Sequence, residues 1–216
     1  MRRFFDPEGL LWKPLGFLGE LVTLSLLWAL CSIPLVTLGP ASAALYDTTV
    51  HVMRRREGTP FARFFSTFRR ELKQGILSTL LWAAILGAIA LVLWAALRLF
   101  PGFAGRGALV SLLELLLGFF ALGVLCWVWP TLSRFTLSFG ALQSVSLRLA
   151  LGHSLRSAAM ALVCGAALVL SLRYVFSLFV VPGAAAFLCS YLIEPVFRQY
   201  EDAQSSGEEE NEKTDG

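Results

Sequence analysis

The sequence predicts an all-α fold: a polytopic transmembrane helix bundle of about five spans, with short amphipathic helices at the membrane interface. Three observations predict it. Of the 216 residues, 56% are apolar and only 15% charged, against about 25% charged in a typical soluble domain. Several apolar stretches approach or exceed the ~20 residues that a membrane-crossing helix needs. The mean hydropathy is +0.69, so polar side chains are too few to cover a water-exposed globule. That balance excludes an ordinary soluble enzyme.

The spans follow in order within one domain, 1–200. The first covers 16–34, with Glu20 near its start and Pro34 at its end. The second, 76–97, has no charge. The third, 107–133, holds one charge, Glu114, and Pro130 kinks or ends it. Trp127 and Trp129 suit an interfacial belt there. The fourth, 157–181, holds Arg173, and the fifth, 182–198, carries Glu194-Pro195. Pro182-Gly183 is a strong breaker pair and sets the turn between the last two. A break at Arg173, with a last span over 174–193, is the alternative. Small residues at Ala83 and Gly87, and at Ala161 and Gly165, permit close helix contact.

Three shorter helices complete the pattern. The stretch 40–55 opens on Pro40, which suits a first helical turn. The second, 60–73, opens on Thr59-Pro60, an N-cap and a first-turn proline. Its Phe61, Phe64, Phe65, Phe68 and Leu72 share one helix face, with Arg63, Arg69, Arg70 and Lys73 projecting away from it. An aromatic face beside a basic face fits a helix lying in the headgroup plane. Packing on the ends of the bundle is the other use of the same stripe. The third short helix is 139–152. The acidic stretch 201–216 has no apolar run and is expected to be disordered.

Seven of the 18 Lys and Arg lie between Arg54 and Lys73: Arg54, Arg55, Arg56, Arg63, Arg69, Arg70 and Lys73. Beside membrane spans, such a block faces anionic lipid headgroups rather than nucleic acid. The positive-inside rule sets this loop in the cytoplasm. With five spans, twelve basic residues then lie inside and six outside. The acidic C-terminal stretch is inside and the N-terminus outside. No cleaved signal peptide is expected, because Asp6, Pro7, Glu8 and Pro14 interrupt the start of the chain.

Charges within spans are candidate functional groups. In this topology Glu20, Glu114 and Arg173 lie roughly 6, 10 and 12 Å below the outer surface at ~1.5 Å per residue. They are expected to form one cluster in which Arg173 pairs with Glu114. The cluster is either a structural ion pair or a small polar substrate or ion site. Catalytic patterns are missing: there is no GxSxG, GxxxxGK[ST] or HExxH. Asp47 and His51, four apart on a helix, read as a surface pair. Neither histidine has a ligand set for a metal. The four cysteines, Cys31, Cys126, Cys164 and Cys189, are widely spaced and read as buried free thiols. No metal and no cofactor is expected.

The run from Leu26-Leu27-Trp28 through Pro34, Thr37, Gly39 and Ala44-Leu45-Tyr46 resembles the signature of the YesL-like family, the bacterial integral membrane domain of unknown function 624. The stretch 64–68 is similar to that family's Phe-rich segment, and Trp129-Pro130 with Arg134-Phe135 to the end of its third span. The resemblance implies a multi-pass protein of the bacterial plasma membrane, often found beside carbohydrate-uptake systems. It carries no catalytic residues over. A non-enzymatic accessory or regulatory component that packs against a sugar permease is therefore expected. The alternative is a small oligomeric transporter or channel with its site at Glu20, Glu114 and Arg173.

Overall fold

The structure, a computed structural model, describes residues 12–56, 58–99 and 106–214. Every regular element among these residues is helical, as the sequence predicts. The α-helices are α1 (Trp12–Cys31), α2 (Leu38–Thr48), α3 (Pro60–Arg70), α4 (Leu72–Leu99), α5 (Arg106–Arg134), α6 (Phe139–Gly152), α7 (Ser154–Arg173) and α8 (Val181–Thr214). A 3-10 turn, Leu35–Thr37, leads into α2, and a π-turn, Thr49–Arg54, extends it.

Among the described residues three helices are long and apolar enough to cross a membrane: Leu72–Ala95, Leu115–Arg134 and Ser154–Arg173. Five were expected. The apolar part of α1, Gly16–Cys31, is shorter, and Glu194 and Arg198 interrupt that of α8.

Local chemistry explains the joints. Pro34 cannot continue α1. The Thr37 hydroxyl then reaches back to the Cys31 carbonyl at 2.6 Å and the Pro34 carbonyl at 2.7 Å. Those contacts satisfy carbonyls that a helix end leaves open. Thr59 has an extended backbone ahead of Pro60, which starts α3. Arg56 and Gly58, both at positive φ, make the turn before it. Pro130 does not end α5, which runs on to Arg134.

Two boundaries differ from expectation. Helix α7 stops at Arg173, the break given as the alternative, instead of running to 181, and the last helix starts at Val181 and not at 174. The Ser177 hydroxyl donates to the Leu170 and Tyr174 carbonyls at 2.8 and 2.6 Å, capping α7 and drawing Val175–Phe179 into a 3-10 turn. Pro182 then sits in the first turn of α8, where proline is tolerated. The second difference is that α8 continues through the acidic segment to Thr214, where disorder was expected. A helix already nucleated by the bundle propagates through Glu- and Gln-containing sequence at little further cost.

Helix α5 is the centre of the bundle. Half of its Leu115–Arg134 stretch is buried, and almost none of α4. Trp127, Val128 and Leu132 of α5 are fully enclosed. Trp127 packs with Ile193, Val196 and Phe197 of α8 and Met160 of α7 in the main core. A second core joins Leu21, Leu24 and Leu27 of α1 with Ala44, Leu45, Met53 and Phe64. Helices α2 and α4 cross closely at Gly39 and Gly75. A Cβ at Gly75 would lie 2.7 Å from Pro40 Cδ, and one at Gly39 would lie 2.6 Å from the Gly75 carbonyl and strike the Thr79 hydroxyl. The Gly39 N–H donates to that hydroxyl at 3.0 Å.

Candidate functional site

The buried carboxylates Asp47 and Glu194 and the arginines that hold them lie where α2, the π-turn and α3 meet the C-terminal end of α5 and the middle of α8. The Asp47 carboxylate is buried and Arg63 grips it twice, Nε at 2.6 Å and Nη2 at 3.0 Å. The Thr67 hydroxyl donates to it at 2.8 Å. His51 lies 3.2 Å away, one turn along the chain. The expectation of a surface pair at Asp47 and His51 is therefore corrected: α3 folds back across α2 and covers Asp47.

A second buried carboxylate, Glu194 of α8, accepts from Arg134 at 2.8 Å and from Arg55 at 2.9 Å. Arg134 is mostly buried beside this carboxylate, while Arg55 reaches it from the exposed side. Both bonds fall on Oε1, and Oε2 is buried without a partner. Next to it, Arg54 stacks over the Tyr191 ring at 4.4 Å and donates to the Ser190 carbonyl at 2.8 Å. Tyr46 is enclosed by the same groups, and its hydroxyl has no partner. Burial pushes the Tyr46 phenol up, and the nearby Glu194 charge pushes it further.

Of the basic block, most members are engaged inward. Arg55 holds Glu194, Arg56 holds Glu20 at 2.9 Å, Arg63 holds Asp47, and Arg70 holds Glu71 at 2.5 Å and the Ser133 carbonyl at 3.0 Å. Arg55, Arg56 and Arg70 are nonetheless exposed, as are Arg69 and Lys73. On α3 the predicted aromatic stripe divides. Phe64 is fully buried, while Phe61 and Phe65 are 58% and 40% exposed.

Of the predicted trio, two members are placed by the described residues. Glu20 goes to Arg56, and Arg173 is exposed as the last residue of α7. The Glu114 side chain lies outside the described residues. The signature residues have structural work. Thr37 caps α1, Gly39 permits the α2–α4 crossing, and Ala44 and Leu45 fill the second core. Pro34 ends α1, and Tyr46 carries the one signature hydroxyl left inside the polar cluster.

Asp47, Glu194 and Arg134 escaped selection from sequence as site residues. A signal was present for Glu194, a lone carboxylate in an apolar run, because such a group must find a cation. Its partners stand 60 and 139 positions away, and sequence spacing says nothing of pairs so distant.

Residues 21–93 match the family model DUF624, described as a protein of unknown function. This bears out the resemblance to that family over about the first third of the fold. No curated protein and no solved structure matches the chain.

Proposed function

Starting from a chain whose residues 21–93 match DUF624, we propose a non-enzymatic accessory protein of the bacterial plasma membrane that packs against a larger permease of a carbohydrate-uptake system. The observation that carries this reading is the placement of the charges. A transporter or channel in its own right needs Glu20 and Arg173 beside one another around a polar site. Glu20 is engaged by Arg56 instead, and the buried charges gather at the end of the bundle as internal cross-braces. Large apolar side chains stand outward along α4, α5 and α7, Leu91, Trp94, Leu113 and Leu168 among them. Lipid or a partner's helices would cover such surfaces. The carbohydrate connection rests on the family resemblance.

The Glu20–Arg56 pair also supports a revised orientation. It brings the first half of α1 to the basic loop, so we infer that α1 enters the bilayer from the side of that loop. Arg2, Arg3 and Lys13 then move to the cytoplasmic side, leaving Arg98, Arg106 and Arg173 opposite. This satisfies the positive-inside rule better than the opposite placement.

The deciding experiment is crosslinking of the tagged full chain in native membranes, followed by purification and mass spectrometry. Stoichiometric recovery of a sugar permease subunit is expected. Recovery of the chain alone, as a defined oligomer, would overturn the accessory reading in favour of an autonomous transporter.

A further inference from the structure

We propose that Cys164 of α7 and Cys189 of α8 are an oxidisable thiol pair, a site of reversible disulfide formation that fastens these two helices together. Their sulfurs lie 3.9 Å apart although 25 positions separate them in the chain. A disulfide bond is about 2.05 Å long, so closure requires an approach of about 2 Å, within the reach of small side-chain and helix adjustments. Both thiols belong to the main core: Cys189 is buried among Ile193 and Val196, and Cys164 packs against it half-buried. Cys126 of α5 packs against the same core. Three of the four cysteines thus converge where α5, α7 and α8 meet, while Cys31 packs against the other core. Neither Cys164 nor Cys189 has a role in the charged end of the bundle.

The chemistry is a two-electron oxidation by a small neutral peroxide, the class of oxidant able to enter an apolar core. One thiol sulfur attacks a peroxide oxygen. The O–O bond breaks, and a sulfenic acid and one water result. The second sulfur then attacks the sulfenyl sulfur. The S–S bond forms, the S–O bond breaks, and the hydroxyl leaves as water with the second thiol's proton. Two thiols and one peroxide become one disulfide and two waters. A dithiol reductant reverses the bond by thiol–disulfide exchange.

The test treats the purified full chain, in lipid nanodiscs, with hydrogen peroxide. Remaining thiols are then tagged with a polyethylene-glycol maleimide in denaturant without reductant, and peptides are mapped. The expected result is loss of two of the four taggable thiols, a peptide joining Cys164 to Cys189, and return of all four thiols with dithiothreitol. Cys164→Ser and Cys189→Ser each abolish the loss, and Cys126→Ser retains it. Four free thiols after peroxide, or a disulfide that includes Cys126 or Cys31 in the wild-type chain, would overturn the proposal. The wild-type peptide map decides the matter even where a serine variant fails to fold.

Discussion

A buried carboxylate needs donors, and Asp47 finds them in Arg63 and Thr67, with the His51 ring beside it. Asp47→Ala removes the acceptor of two Arg63 hydrogen bonds and of the Thr67 hydroxyl. Breaking a buried ion pair costs about 3–5 kcal/mol. Arg63 is 37% exposed, so water recovers part of that, and a loss of about 2–3 kcal/mol is expected. Thermal unfolding in detergent reads it, and an unchanged midpoint would mean that the network does not hold the α2–α3 hairpin. Tyr46 presents the opposite case. Its hydroxyl is buried with no partner, and such a group costs about 1–3 kcal/mol. Tyr46→Phe is expected to raise stability by about 1 kcal/mol, measured by the same unfolding transition. A fall in stability would reveal a partner for the hydroxyl. At this scale the sequence displayed the i, i+4 spacing of Asp47 and His51 but concealed Arg63, because spacing within one helix says nothing about which second helix covers it.

Among the elements, the closest crossing is that of α2 with α4. Gly75→Ala sets a methyl 2.7–3.0 Å from the ring and backbone of Pro40. Neither the proline ring nor a helix backbone can yield cheaply, and overpacking of this kind costs about 1–3 kcal/mol. Gly87→Ala meets nothing within 4 Å on the same helix and is expected to leave the midpoint unchanged or slightly raised. Equal midpoints for the two variants would show that the crossing is slack. The helices themselves were legible: α6 starts and ends where its apolar pattern does, at Phe139 and Gly152. The end of α7 was legible only as one of two alternatives. Leu172-Arg173-Tyr174 contains no turn former, and the stop depends on Ser177 reaching back to Leu170. The Phe periodicity of α3 announced a helix, yet a stripe of aromatics has no marker for which of them face protein. Phe64 faces the core and Phe61 does not.

For the whole molecule, composition was enough to fix the helical class, since few charges and long apolar runs admit little else. Orientation was harder, because it depended on a count over loops whose side α1 decides. The proposed placement, with the segment ahead of α1 on the side of the basic loop, is checked in spheroplasts. A cysteine introduced at Gly9 in a chain with its four native cysteines replaced is expected to resist a membrane-impermeant maleimide. Ready labelling from outside would restore the five-span arrangement.

The inward engagement of the basic block bears on how the protein responds to ionic strength. A run of seven cations on one loop reads as a surface whose grip weakens steeply as salt rises. At 0.15 M the screening length is about 8 Å, and it shrinks further at higher salt. Yet the Asp47 and Glu194 carboxylates that Arg63 and Arg134 hold are both buried, so dissolved ions reach these pairs less readily than an open surface pair. Arg69 and Lys73 are exposed cations of the same block. Raising sodium chloride from 50 mM to 1 M is therefore expected to shift the unfolding midpoint little. Neutralising Arg69 and Lys73 together should reduce whatever salt dependence attachment to anionic vesicles displays.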